Sequence, residues 1–239
     1  MTPLSAMTIR VLPEQLVHQI AAGEVVERPA SVIKELVENS LDAGALAIDI
    51  EVEKGGAELC RVRDDGMGIA ADELLLALAR HATSKIGSID DLEAVRTLGF
   101  RGEALPSIAS VARMRMISRP RAAATAHMVA AVDGALTGPA PHPHPPGTTV
   151  EVRDLFFNVP ARRKFLRSER TELAQIERLV ERLALSRFDV GFRLSSARKV
   201  LADHPPARDE RARDARVAAM LGDDFIANAM KLDHEGTGM

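Results

Sequence analysis

Three side chains in the stretch Lys34 to Gly44, KELVENSLDAG, share one side of a helix: Glu35, Asn39 and Asp42, at spacings of four and three. At about 100° per residue they fall within an arc of roughly 60°. Val32, Ile33, Leu36, Val37 and Leu41 fill the opposite side. A solvated helix face would accept lysine or arginine equally well, yet every member of this stripe is a carboxylate or an amide. An asparagine carbonyl is a hard oxygen ligand of the kind Mg²⁺ takes alongside substrate phosphates and water. A carboxylate one turn away could orient a water and accept its proton. The stripe fits either a plain wet face or a phosphoryl-transfer site.

Three other segments bear on that choice. In Asp64-Asp65-Gly66-Met67-Gly68 the glycines permit a tight turn and close approach of a flat ligand. Asp64, at a strand end, could accept a hydrogen bond from an exocyclic amine such as that of adenine. In Gly99-Phe100-Arg101-Gly102-Glu103 a glycine-bearing turn feeds a helix N-terminus, which suits phosphate oxygens. Gly147-Thr148-Thr149 opens a strand and offers hydroxyls. No G-x-x-x-x-G-K-[ST] occurs, so a P-loop is excluded. Gly66 to Ala71 also fits G-x-G-x-x-A, with Asp90 or Asp91 about twenty residues on, as a dinucleotide fingerprint asks. Two carboxylates directly before the first glycine would repel a pyrophosphate, and no repeated βαβ units follow.

The elements that must hold these residues read as follows. A helix starts near Pro29, a good first-turn residue, and ends at Gly44, suited to a left-handed cap. A β-hairpin follows, Ala47 to Glu53 and Ala57 to Arg63 around Gly55-Gly56. Asp72 to His81 reads as a helix opened by Asp72, and Ala82 to Leu98 as a loop. A helix after Gly102 precedes strands at Met114 to Ser118, His127 to Ala131 and Thr148 to Arg153, with an exposed polyproline-like loop from Gly138 to Gly147. Its His142 and His144 lack partners at metal-ligand spacing and are expected on a surface loop. Glu169 to Ser186 is an amphipathic helix, Val190 to Ser195 a strand, and Asp203 to Ala215 a linker. The order implies an α+β domain with helices on one face of a largely antiparallel sheet.

Composition narrows the field. The chain has 239 residues and a net charge of -3, but Ala161 to Arg216 holds 15 Lys/Arg against 9 Asp/Glu. That basic run, including Arg162, Arg163, Lys164, Arg167 and Arg170, could meet backbone phosphates or form a solvated face of Glu-Arg pairs. Pro160 to Leu166 also reads as a helix start packed by Phe165 and Leu166. The single cysteine, Cys60, excludes an intrachain disulfide framework and reads as a small strand residue. No window approaches the roughly 18 apolar residues of a membrane span, and a cytoplasmic location is the default expectation.

These motifs together resemble the N-terminal ATPase region of the MutL family of DNA mismatch repair proteins, within the GHKL superfamily shared with DNA gyrase, histidine kinases and heat-shock chaperones. The similarity lies in Gln19 to Pro29, Lys34 to Gly44, Asp64 to Gly68, Arg80 to Lys85, Gly99 to Ala104 and Asn158 to Leu166. It implies a two-layer α/β sandwich of the GHKL (Bergerat) type. Its boundaries would be an N-terminal extension over 1–8, the ATPase domain over 9–205, and a linker with the start of a second domain over 206–239. The cofactors implied are ATP and Mg²⁺. Glu35 would be the general base and Asn39 the Mg²⁺ ligand. Asp64 would bind the adenine amine, with Gly66, Met67, Gly68 and Thr149 around the base. Thr83, Ser84, Lys85, Gly99, Phe100, Arg101 and Gly102 would form a mobile lid over the phosphates. The implied partners are a second copy closing through an arm that includes Ile20 to Val26, a mismatch-recognition protein, other repair factors and DNA. A γ-phosphate lysine is expected from the following domain, so weak nucleotide binding and poor hydrolysis are expected of these 239 residues.

Overall fold

The computed structural model describes residues 22, 23, 25–79, 82, 102–132 and 135–230. Helix α1, Pro29–Asp42, carries the stripe; Pro29 supplies its first turn, and the chain leaves it through Gly44 in the left-handed region at φ 72°. Strands β1 (Ala47–Glu53) and β2 (Leu59–Asp64) form the expected antiparallel hairpin around the turn Lys54–Gly56. After the short helix α2 (Leu74–Ala77) and helix α3 (Ala104–Val111) come β3 (Arg113–Arg119), β4 (Ala126–Val132), β5 (Ala135–His142) and β6 (Gly147–Arg153). Helices α4 (Pro160–Phe165) and α5 (Glu169–Ser186) precede β7 (Gly191–Ser196) and β8 (Lys199–His204). Helices α6 (Glu210–Leu221) and α7 (Asp223–Asn228) end the described chain.

One eight-stranded sheet runs in the order β5-β4-β3-β6-β2-β1-β7-β8. All its pairings are antiparallel except β1 with β7, whose crossover runs through the rest of the domain. The strands alternate. Ile48, Ile50 and Val52 of β1, Cys60 and Val62 of β2, Met114 and Met116 of β3, and Val150 and Val152 of β6 join one buried cluster with Val32, Ile33, Leu36 and Val37 of α1 and Ile176 and Val180 of α5. The intervening side chains, Arg61, Arg115 and Glu151 among them, face the other side of the sheet, where they pair with one another. This is the helix layer on one face of a mixed, largely antiparallel sheet that the element order implied.

Three expectations need correction. The helix over 72–81 shrinks to the single turn Leu74–Ala77, preceded by Glu73 rather than capped by Asp72. Among the described residues of that stretch only Leu74 and Leu78 are buried while Leu76 stays exposed, so little apolar surface rewards a longer helix; Arg80 and His81 lie outside the described residues. The proline-rich segment from Gly138 is largely strand. It pairs with β4 as the outer strand β5, an edge where a residue lacking N–H is tolerated, and only residues 143–146 remain a loop. The expected linker over 203–215 instead completes β8 and begins α6, whose Asp209 accepts the Ala212 N–H at 2.8 Å. Arg216 anchors α6, its buried guanidinium donating to the carbonyls of Ala184, Arg187, Val190, His204 and Pro205.

Candidate functional site

Period-2 alternation aims Asp64, the last residue of β2, at the helix layer beside Cys60 and Val62, where it meets α1. Its Oδ2 accepts from Ser40 Oγ at 3.0 Å, and its Oδ1 accepts from Gly66 N at 2.9 Å and Thr148 N at 3.3 Å. An ionised carboxylate offers about four acceptor positions. Three are met among the described residues, which leaves one acceptor position there for a further donor. Burial pushes the Asp64 carboxyl above the ordinary aspartate value; the donors from Gly66, Ser40 and Thr148 oppose the rise and neighbouring Asp65 adds to it. Asp65 does a different job, its Oδ1 accepting the Leu46 and Ala47 N–H groups at 2.8 and 2.9 Å to hold the start of β1.

The same arrangement locks α1 to the turn after β2. The single Ser40 hydroxyl hydrogen is shared between Asp64 and Leu36 O, 3.1 Å away, and Met67 N donates to Ala43 O at 3.0 Å. Asn39 sits next to Ser40, so the amide of the stripe arrives at the Asp64 end of the helix, and Glu35 lies one turn earlier. Glu35 is partly buried, with Lys34 Nζ 3.3 Å from its Oε1 and 2.8 Å from Glu38 Oε2. Burial works to lower the Lys34 pKa, but Glu38 and Glu35 outweigh it and the ammonium is raised. Gly68 is left-handed at φ 75°, and a Cβ there would overlap the Arg119 carbonyl. Met67 is 64% exposed and flanks the turn. Gly102, also left-handed at φ 62°, is followed by Glu103 at the start of α3, as expected of a turn that feeds a helix. Thr83, Ser84, Lys85, Gly99, Phe100 and Arg101 lie outside the described residues, as do Asp90 and Asp91.

Thr149 is displaced from the predicted site. Strand alternation sends its side chain to the face opposite Val150, where it is paired with Arg63 across the sheet. There its hydroxyl meets His144 Nε2 at 2.7 Å, while His144 Nδ1 lies 2.7 Å from Pro145 O, so His144 is half-buried against the sheet rather than on an open loop. Burial lowers the His144 pKa and Arg63 adds to that. The preceding residue faces the site: Thr148 lends its N–H to Asp64 and its hydroxyl to Ser118 at 2.8 Å, and Ser118 in turn accepts Ile69 N at 2.8 Å. Two site residues were therefore missed. The serine at position 40 interrupts the apolar row Ile33, Leu36, Ser40, a signal visible in the sequence. The part played by Ser118 depends on pairing between β3 and β6 and has no local signal.

Two alternatives fare differently. Gly66 to Ala71 does not open a long helix, and among the described residues the sheet lacks the run of parallel strands a dinucleotide fold uses. In the basic segment Arg163, Lys164, Arg167 and Arg170 are exposed, whereas Arg162 turns inward over the Phe156 ring at 5.1 Å. Phe165 does not pack as expected; it is 83% exposed because Leu155 and Phe156 already fill the core beneath α4, while Leu166 does reach it. Among the described residues no three His, Cys, Asp or Glu side chains form a metal cage, and no helix is long and apolar enough to cross a membrane.

A mixed sheet with helices on one face, and a strand-end carboxylate buried against the first of them, defines the class described as histidine kinase-, DNA gyrase B- and HSP90-like ATPases, whose family model matches residues 27–133. The ADP-complexed ATPase domain of Aquifex aeolicus MutL is similar at TM-score 0.64 and 35% identity, covering 81% of this chain and 68% of that one. The N-terminal domain of a DNA repair protein is similar at TM-score 0.72 and 26% identity, covering 86% and 61%. DNA mismatch repair proteins MutL from Xanthomonas oryzae pv. oryzae and Vibrio parahaemolyticus are 59% and 56% identical over 98% of the chain. The chain belongs to the MutL family of DNA mismatch repair proteins. It spans 37% of the length of the Xanthomonas relative and 35% of the Vibrio one.

Proposed function

We propose that these residues form the ATP-binding and slowly hydrolysing switch of a mismatch repair protein. The observation that carries this reading is the Asp64 carboxylate, with three internal donors and one acceptor position to spare, fixed through Ser40 to the helix bearing Asn39 and Glu35. An exocyclic amine satisfies that remaining position, as adenine's does and guanine's ring-edge carbonyl does not. Thr148, rather than Thr149, flanks the base. Asn39 would hold Mg²⁺ through its amide oxygen, a hard donor that suits a cation kept largely by phosphates and water, and the chemistry the ion would supply is neutralisation of phosphate charge. Glu35 orients the attacking water and takes its proton. The phosphate contacts are assigned to Gly102 together with Thr83, Ser84, Lys85, Gly99, Phe100 and Arg101.

Nucleotide contacts made only in a closed state shift the population toward closure, and hydrolysis releases it. In the whole protein this closure joins two N-terminal regions, engages mismatch-recognition and other repair factors, and brings DNA to exposed basic side chains; the work is done in the cytoplasm. Calorimetric titration with a non-hydrolysable ATP analogue and Mg²⁺ tests the reading. Saturable binding that Asp64→Asn removes supports it, and binding unchanged in that variant sinks it.

A further inference from the structure

We propose that Arg162 is a positioning residue that fixes the start of the helix carrying Glu35 and Asn39, an inference that rests on the nucleotide reading above. α1 is pinned at its far end by the Ser40 to Asp64 and Met67 to Ala43 hydrogen bonds. Its near end depends on the segment that leads into it. There Ala22 and Val26 are fully buried, and Gly23, helical in backbone, lies against the Arg162 guanidinium. A Cβ on Gly23 would stand 2.5 Å from Nη2 and 3.3 Å from Cζ of Arg162. Gly23 is not in the left-handed region, so its lack of a side chain serves the arginine and not the backbone.

The platform under Arg162 is specialised as well. Phe156, 1% exposed, holds φ 62°, a conformation that a bulky residue adopts at a cost, and its N–H donates to Val111 O at 2.7 Å. The guanidinium lies over that ring, its Nη1 buried without a hydrogen-bond partner among the described residues. Arg162 is thus a wedge held between an aromatic face and a glycine, not an open phosphate contact. A second clamp, Arg28 on Glu172 through two 3.2 Å hydrogen bonds, holds the residue just before Pro29. Loosening the wedge moves the near half of α1, with Glu35, more than the far half held at Asp64.

The experiment uses the full-length protein. Arg162→Ala is expected to lower the kcat of ATP hydrolysis at least tenfold while ADP affinity stays within twofold. Lys54→Ala, an exposed cation of the turn between β1 and β2, leaves kcat unchanged. Gly23→Ala tests the contact itself: it lowers Tm in the native background, where it dislodges the guanidinium, and raises Tm in an Arg162→Lys background, where alanine's better helix propensity is free to act. Equal losses of kcat and affinity in Arg162→Ala, or an unchanged kcat, would overturn the positioning role. The same sign for Gly23→Ala in both backgrounds would overturn the wedge. Absence of ADP binding by the native protein would overturn the nucleotide reading and, with it, this inference; ADP binding with unchanged kcat would overturn this inference alone.

Discussion

In the proposed nucleotide site, burial of Asp64 costs stability above the ordinary titration range of aspartate. A carboxyl whose folded pKa is raised stabilises the protein fully below its ordinary value near 3.8, and that contribution is lost as pH rises through the higher folded value. Asparagine fits the same hydrogen bonds: its oxygen takes the Gly66 and Thr148 N–H groups, and its amide donates to Ser40, which keeps its bond to Leu36 O. Asp64→Asn is therefore expected to keep or raise Tm at neutral pH while abolishing analogue binding, and the Tm difference from the native protein should shrink toward pH 3. Removing each threonine hydroxyl in turn separates the two faces of β6. Thr148→Val should weaken analogue binding at least fivefold, and Thr149→Val should leave it within twofold, as calorimetry would register. Cys60, fully buried and pushed up to about 12 by desolvation, should resist a thiol reagent at pH 8 until the protein is unfolded.

At the scale of elements, the sheet face opposite the helices is held by charge where the helix-covered face is held by apolar area. Glu151 on β6 is 5% exposed and receives Arg61 from β2, Arg115 from β3 and Arg153 from its own strand, at 2.8, 3.2 and 2.8 Å. Burial works to raise its pKa, but Arg153, Arg61 and Arg115 more than compensate and hold the carboxyl below the ordinary glutamate value of 4.5. A depressed carboxyl stabilises above that ordinary value and loses its contribution as pH falls through the folded value, the opposite sign to Asp64. Glu151→Gln should cost about 1–2 kcal/mol in urea unfolding at pH 7, discounted because the arginines are partly exposed. The difference should be smaller at pH 3 than at pH 7, since pH 3 lies below the ordinary glutamate value and closer to the depressed folded one. A stability change of the same size at both pH values would assign the loss to packing and not to charge.

For the whole molecule, the net charge of -3 conceals a basic region whose exposed members include Arg163, Lys164, Arg167 and Arg170. Each phosphate contact made by one of these should appear as a salt dependence of duplex binding, and neutralising one that touches DNA should reduce the log-log slope by about one. Arg162, being wedged over Phe156, should change that slope little. A fluorescence titration of duplex binding between 50 and 200 mM salt, on Lys164→Gln and Arg162→Gln variants of the full-length protein, distinguishes the exposed cation from the inward one.

The stripe on α1, the Asp64 turn, the β1-β2 hairpin and the layered α+β arrangement were all legible in the sequence, because each rests on local periodicity or on turn residues whose conformational needs are local. What the sequence could not decide was set by pairing between distant segments. The register of β6 against β2 and β3 assigned Thr148 to the site and Thr149 to the far face, a one-residue choice that alternation makes absolute once one partner is fixed. The edge position of β5 made a strand of a proline-rich stretch that reads locally as a loop. Arg216, a surface cation by residue type, became a buried strut because the carbonyls of Ala184 and Val190 that receive it come from other segments, and Arg162 turned inward because Gly23, far off in the chain, leaves room for its guanidinium beside the nearby Phe156 ring. Residue types and spacing determined the chemistry available to this protein, and only the assembled sheet decided which side chains were turned toward it.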